Sequence, residues 1–65
     1  MTNGETIKDF LKTKGVSKDH FSKLLGLTTR AVYNIMNDLV PTGISNSRKY
    51  QINKIFKSYN YFGRV

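Results

Sequence analysis

The sequence predicts an all-α domain of four short helices followed by a short aromatic tail. Apolar residues recur at intervals of three and four, hydroxyl residues suited to N-caps precede these apolar runs, and glycines stand where the first two runs end. At 65 residues the chain has the length of one domain, and it contains neither an internal repeat nor a low-complexity linker. We therefore expect a single domain over residues 1–65.

The first helix is predicted over residues 5–14. One of its faces is apolar at helical spacing and is formed by Ile7, Phe10 and Leu11. Thr2 and Glu5 have the spacing of a capping box, in which each side chain accepts a hydrogen bond from the backbone N–H of the other residue. Gly15 can end the helix, because glycine readily adopts the left-handed conformation found after a helix C-terminus.

Two further helices are predicted over residues 18–25 and 29–37. Ser17 and Thr28 are good N-caps for them, and Gly26 ends the first of the two. Their apolar faces contain Phe21, Leu24 and Leu25 in one helix, and Val32, Ile35, Met36 and Leu39 along and just beyond the other. Two short helices joined this tightly are compatible with a helix-turn-helix, whose second helix can enter the major groove of DNA.

A fourth helix is predicted over residues 47–59, after a break in the chain at Pro41 and Gly43. Its apolar positions are Ile52, Ile55, Phe56 and Tyr59. We expect the first three of these, together with Leu39, to lie in the core.

The composition excludes several classes of function. The chain has no cysteine, one histidine and four carboxylates with no close acid pair, so it offers little for acid–base catalysis or metal binding. We expect no enzyme, no metal, no cofactor and no small-molecule substrate. No apolar run approaches the ~20 residues of a membrane span, and the polar N-terminus has no secretory pattern. These features predict a soluble cytoplasmic protein without membrane contact.

The charge is strongly positive and unevenly distributed. Eleven Lys and Arg oppose four Asp and Glu, which gives a net charge of +7. Residues 1–38 contain six basic and four acidic residues, whereas residues 39–65 contain five basic residues and no acidic one. This balance favours a polyanionic partner, and nucleic acid before an anionic membrane.

The outward face of the predicted third helix carries side chains suited to reading bases. If the apolar residues of this helix face inward, the opposite stripe contains Arg30, Tyr33, Asn34 and Asn37, with Thr29 beside it. Asn and Tyr are weak helix formers, so solubility alone does not explain their presence. In the major groove, Arg can pair with guanine, Asn can pair with adenine, and the Thr methyl group can touch the thymine methyl group.

Residues 6–37, TIKDFLKTKGVSKDHFSKLLGLTTRAVYNIMN, resemble the helix-turn-helix of phage repressor and Cro-like (XRE) proteins. The family's motif would start at Lys18, where a glutamine is usual, and would place Gly26 on the turn glycine. Ser22 would take a position that is usually alanine. The apolar positions of the motif would fall on Phe21, Leu25, Leu27, Val32 and Ile35.

The resemblance implies roles for individual residues. Contacts to bases are expected from Thr29, Arg30, Tyr33, Asn34 and Asn37. Contacts to phosphate are expected from Lys18 and Thr28, and we add Ser17, Arg48 and Lys49, which lie near predicted helix N-termini where backbone amides and positive charge suit an anion.

After residue 38 the resemblance weakens, and alternatives stay open. The tail could form a dimer strand as in Cro-like proteins, with Tyr59, Tyr61 and Phe62 in the interface, or it could pack back onto the core. Residues 43–50 could instead form a small β-wing, as in excisionase and MerR-like proteins, with Arg48 and Lys49 on its arm.

The sequence therefore predicts a DNA-binding regulator that acts by binding and performs no chemistry. We expect a small phage or mobile-element repressor that binds a two-fold operator on double-stranded DNA as a homodimer. Two alternatives remain: an excisionase-like DNA-bending factor, marked by the wing, and a protein-interaction module that uses the same fold.

Overall fold

Four α-helices and no β-strand make up the computed structural model, which covers residues 1–65. The helices are α1 (Asn3–Lys14), α2 (Lys18–Leu25), α3 (Thr29–Met36) and α4 (Asn46–Ser58). The predicted all-helical domain is confirmed, and each predicted helix boundary lies within two residues of the observed one. None of the helices has the length and apolar character that crossing a membrane requires.

Every helix begins at a hydroxyl N-cap. The capping side chain accepts a hydrogen bond from the backbone N–H three residues later, at 3.0–3.2 Å, in Thr2, Ser17, Thr28 and Ser45. The predicted capping box is present, because the Glu5 carboxylate also accepts from the Thr2 backbone N–H at 2.9 Å. A cap of this kind typically stabilises a helix by about 1 kcal/mol, which matters in a domain with a small core.

Every helix also ends with the same reversal of the chain. A residue in the left-handed conformation follows the helix, and the next backbone N–H donates to the carbonyl oxygen five residues back, at 2.8–3.0 Å. This arrangement is the Schellman motif. The left-handed residues are Gly15, Gly26, Asp38 and Asn60, with φ of 65°, 69°, 55° and 57°. The two glycines were predicted as helix ends, whereas the other two were not.

The core is built around the aromatic ring of Phe10, which is fully buried on α1. Its ring centroid lies 4.5 Å from that of Phe56, 5.8 Å from that of Phe21, 5.4 Å from that of Tyr59 and 5.3 Å from that of Tyr61. Phe10 therefore connects α1, α2, α4 and the tail through a single side chain. The remaining buried apolar residues are Ile7, Leu11, Val16, Leu25, Val32, Ile35 and Ile52.

The aromatic tail packs back onto this core and forms no strand. The Tyr61 hydroxyl donates to the Asp9 carboxylate at 2.5 Å, and this hydrogen bond, together with burial and the Asp9 charge, raises the pKa of Tyr61 to about 12. The Asn53 side chain holds the end of the tail through two hydrogen bonds with the Val65 backbone, at 2.9 and 3.2 Å. Tyr59 and Tyr61 thus face their own core, and of the three predicted interface aromatics only Phe62 keeps an exposed ring, at 92%.

Two other expectations are wrong. The alternative of a β-wing over residues 43–50 fails because Ser45 caps α4 and residues 46–50 form its first turns. Leu39, expected in the core, is 58% exposed because the reversal at the end of α3 turns it outward. The predicted core residues Ile52 and Phe56 are buried.

The N-terminus of α1 meets the C-terminus of α3 in a close junction. Asp38, just beyond α3, accepts hydrogen bonds from the Thr2 hydroxyl at 2.6 Å and from the Gly4 backbone N–H at 3.0 Å. Gly4 is buried, and a Cβ atom built on it would lie 2.8 Å from the Met36 carbonyl carbon and closer still to its oxygen. The backbones of the two helices approach so closely that only a glycine fits at position 4.

We predict that Gly4→Ala destabilises the domain. The new methyl group would overlap the Met36 carbonyl group and push α1 away from α3, which costs about 1–3 kcal/mol in a packed core. The gain in helix propensity, at most about 1 kcal/mol, is too small to compensate. Urea unfolding followed by circular dichroism measures the difference, with Lys12→Ala on the exposed face of α1 as the control. A Gly4→Ala variant as stable as the parent would contradict the close approach.

We also predict that the junction loses stability in acid. The Thr2 hydroxyl and the Gly4 N–H hold the pKa of Asp38 below its ordinary value of 3.8. Because the pKa of Asp38 is lower in the folded state, its carboxylate stabilises the fold at pH values above the ordinary pKa. This stabilisation is lost as the pH falls through the folded-state pKa. Asp38→Asn, which keeps the shape and tolerates the left-handed backbone, should lose less stability between pH 7 and pH 2 than the parent. Urea midpoints that fall equally in both proteins would exclude this role of Asp38.

Candidate nucleic-acid interface

Helix α3 presents its polar side outward because its apolar side is buried. Val32 and Ile35 face the core, and α3 packs against both α1 and α2. Three of the five residues predicted to contact bases are exposed: Thr29, Arg30 and, at 45%, Tyr33. We call these three residues together with Asn34, which is half-buried, the α3 stripe.

Lys18 at the start of α2 lies next to the α3 stripe. Its ammonium nitrogen is 5.4 Å from the centroid of the Tyr33 ring, within the range of a cation–π interaction. This contact places the Lys18 charge beside the Tyr33 ring and so next to the stripe. A predicted phosphate contact and a predicted base contact therefore adjoin in the structure.

The two predicted phosphate contacts at N-caps are both exposed. The Ser17 and Thr28 hydroxyl oxygens accept from the His20 and Ala31 N–H groups, at 3.0 and 3.1 Å. Each hydroxyl hydrogen can still be donated to an anion. The first backbone N–H groups of a helix have no partner within it, so the N-termini of α2 and α3 also offer partial positive charge.

The structure does not bring Asn37 into the stripe. Asn37 lies one residue beyond α3, where its side-chain N–H donates to the Tyr33 carbonyl oxygen at 2.9 Å. Its side-chain oxygen accepts from the Lys8 ammonium group at 3.1 Å. Both ends of the amide are thus engaged within the protein, and Asn37 helps to end the helix.

Arg48 is likewise engaged within the protein. Its guanidinium group donates to the Leu25 carbonyl oxygen at 3.0 Å and to the Gln51 side chain at 2.7 Å. Because the Leu25 carbonyl belongs to the last turn of α2, Arg48 stabilises the negative end of that helix and attaches α4 to it. Lys49, the neighbouring cation, is half-buried and has no such hydrogen bond.

Two residues near the α3 stripe were missed by sequence reasoning. The Asp19 carboxylate accepts a long hydrogen bond from the Thr29 hydroxyl, at 3.4 Å. Lys8 on α1 reaches the far end of α3 through Asn37. In the sequence Asp19 is an ordinary first-turn acid and Lys8 an ordinary exposed lysine, so neither carries a local signal for its position.

The charge of the surface depends on the four carboxylates and on the groups that bind them. All four carboxylates accept hydrogen bonds from hydroxyl or backbone groups within residues 1–38 and the tail: Glu5 from Thr2, Asp9 from Tyr61, Asp19 from Thr29, and Asp38 from Thr2 and Gly4. None of these donors is a cation, and Lys and Arg outnumber the acids by eleven to four, so the surface carries an excess of positive charge. No group of three or more His, Cys, Asp or Glu side chains is placed to hold a metal ion.

Comparison of the chain with protein families, with curated proteins and with solved structures finds no match.

We predict that Arg48 contributes to stability and that Lys49 does not. Arg48→Ala leaves a partly buried carbonyl group without its charged donor, which typically lowers the free energy of unfolding by about 1–2 kcal/mol. This loss should lower the melting temperature by about 4–8 °C per kcal/mol in a domain of this size. Lys49→Ala, at the adjacent position, should leave the melting temperature within about 2 °C of the parent, since it loses no such bond. Equal melting temperatures for the two variants would disprove the assignment.

Proposed function

We propose that the protein is a sequence-specific regulator that binds double-stranded DNA through a helix-turn-helix formed by α2 and α3. Helix α3 enters the major groove, and α2 lies across the backbone at the groove edge. The resemblance of residues 6–37 to phage repressor and Cro-like proteins supports this proposal. So do the net charge of +7 and the short turn between the two helices.

The observation that carries the proposal is the outward direction of the α3 stripe next to Lys18. A helix face made of Thr, Arg, Tyr and Asn carries donors and acceptors that can pair with base edges, and its Tyr and Asn are weaker helix formers than the Lys and Glu typical of a merely solvated face. The adjoining lysine and the two exposed N-caps supply the anion contacts that would fix the helix in the groove.

In this mechanism, base contacts select the site and phosphate contacts supply most of the affinity. Arg30 is the residue most available for a paired contact with guanine, because its side chain is exposed on the first turn of α3. Asn34 can reach adenine from its half-buried position one turn later. Ser17, Lys18 and Thr28 contact phosphate, and Asn37 and Arg48 stabilise the fold.

A single α3 covers only a half-site, so two copies of the chain occupy a two-fold operator with half-sites about 34 Å apart. The protein acts as a repressor by occupying that operator, in the cytoplasm of a bacterial or phage-infected cell. The DNA-bending alternative depended on a β-wing, and residues 46–50 are helical, so it is not proposed.

The proposal predicts different effects for the two kinds of contact. Arg30→Ala should lose about 1–3 kcal/mol of binding free energy on the preferred site and should relax the sequence preference at one base position. Lys18→Ala should weaken the binding of all duplexes alike. It should also reduce the salt dependence of binding by the amount expected for about one phosphate contact. Alanine is a good helix former, so neither change should unfold the helices.

The measurement starts with selection of bound duplexes from a random pool, followed by anisotropy titrations on selected and scrambled duplexes at two salt concentrations. Lys12→Ala, which removes an exposed charge from α1, is the matched control for loss of net charge. If Arg30→Ala weakened selected and scrambled duplexes equally, base reading by α3 would be refuted. Failure to enrich any duplex would refute sequence specificity.

A further inference from the structure

A basic and aromatic groove lies between α4 and the tail. It has a volume of about 620 Å³ and is lined by cationic and aromatic side chains, including Tyr50, Lys54, Lys57, Phe62 and Arg64. On α4 the core-facing residues are Ile52 and Phe56, and the groove residues occupy the opposite, exposed side. No residue of α2 or α3 lines the groove, so it is separate from the α3 stripe.

The groove is held in shape by the tail. The Tyr61 ring packs on Phe10 and Phe56, and Asn53 fixes the Val65 backbone. Between these two attachments, Gly63 passes so close to the Tyr61 ring that a Cβ atom would lie 2.5 Å from it. Phe62 is therefore presented from a folded segment, although its ring is 92% exposed.

Two exposed aromatic rings lie beside the cations of this groove. Tyr50 is 69% exposed and Phe62 is 92% exposed, while the other aromatic side chains of the tail pack on the core. The exposure of a large ring to water costs free energy roughly in proportion to the apolar area of the ring. An occupant that covers both rings would recover that free energy.

The charge of the groove limits what that occupant can be. Its lining contains Lys54, Lys57 and Arg64 and no carboxylate, so an anion fits it. A second copy of the chain fits poorly, because a two-fold contact would bring the same cations together. In such a contact neither copy would bring an acid against these cations, because the lining contains none of the chain's four carboxylates.

From this combination we infer that the groove binds single-stranded DNA. Cations that follow the phosphates and aromatic rings that stack on successive bases are the two elements of single-strand recognition. A duplex offers base edges and phosphates but keeps its base faces stacked, so it would leave Tyr50 and Phe62 uncovered. This inference goes beyond the proposed function, because it assigns a second nucleic-acid surface outside the helix-turn-helix.

The groove also has little means of preferring RNA. A preference for RNA requires a polar group that recognises the 2′-hydroxyl. Of the neutral polar side chains in the lining, the Asn53 amide is already engaged by Val65 and the Tyr61 hydroxyl donates to Asp9, which leaves the Tyr50 hydroxyl alone to meet a 2′-hydroxyl. We therefore expect single-stranded RNA of the same length to bind no more tightly than DNA.

The test is an anisotropy titration of a labelled oligothymidylate of about 8 nucleotides, a length within the usual site size. Tyr50→Ala with Phe62→Ala should weaken binding by about tenfold or more, because both stacking platforms are removed. Lys54→Gln with Lys57→Gln should lower the slope of log K against log salt by about 1.4, since each phosphate contact on a single strand contributes about 0.7. All four side chains are exposed, so the variants should fold, as circular dichroism can verify.

Matched controls separate the groove from general charge and apolar effects. Lys12→Gln with Lys14→Gln removes the same charge from α1, and Leu39→Ala removes an exposed apolar side chain elsewhere. Both controls should bind the oligonucleotide within about twofold of the parent. Arg30→Ala should keep single-strand binding, and the groove variants should keep the preference for the selected duplex, so failure of one proposal is distinguishable from failure of the other.

Several outcomes would overturn the inference. Unchanged oligonucleotide binding after loss of both rings would exclude stacking. Equal loss of duplex and single-strand binding in the groove variants would make the groove part of a duplex interface. Displacement of the oligonucleotide by oligoglutamate of equal charge would favour an acidic peptide as the occupant, and tighter binding of RNA than of DNA would overturn the choice of DNA.

Discussion

Burial of one side of α3 is the constraint on which the rest of the structure depends. With Val32 and Ile35 in the core around Phe10, the rotation of the helix about its axis is fixed, and its polar residues must face solvent. The junction of Gly4 and Asp38 with the end of α3 sets how closely α1 approaches. A shift at this junction would therefore also change the direction in which Arg30 and Tyr33 project.

The domain folds with a small core because the backbone groups at its helix ends have hydrogen-bond partners. A chain of 65 residues removes only about 60% of its unfolded surface from water, so terminal hydrogen bonds carry unusual weight. Each helix has a hydroxyl cap at one end and a Schellman reversal at the other. No buried side-chain polar atom lacks a partner. The same reversals bring Val16, Leu27 and Tyr61 onto the core, so the turns contribute to packing as well as to hydrogen bonding.

The features that the sequence predicts well are those encoded over a few residues. Apolar periodicity and hydroxyl caps predicted four helices to within two residues, and glycine marked two of the four reversals. At Asp38 the side-chain hydrogen bonds join partners more than thirty residues away, Thr2 and Gly4, so no local pattern indicates this junction. The same reason explains Arg48 and Asn37. Each looks like a free polar residue in the sequence, and each is engaged by a distant part of the chain.

The positive charge of this protein is best understood as two separate surfaces with different chemistry. Near α3, cations accompany amide, hydroxyl and guanidinium groups that can pair with base edges, whereas between α4 and the tail they accompany exposed rings that can stack on bases. No carboxylate lines the groove, whereas Asp19 adjoins the α3 stripe through its hydrogen bond with Thr29. Since the free energy of unfolding of so small a domain is modest, cations left without acidic neighbours are a cost to folding through mutual repulsion. A polyanion bound at either surface would relieve that repulsion, so binding and folding stability would increase together.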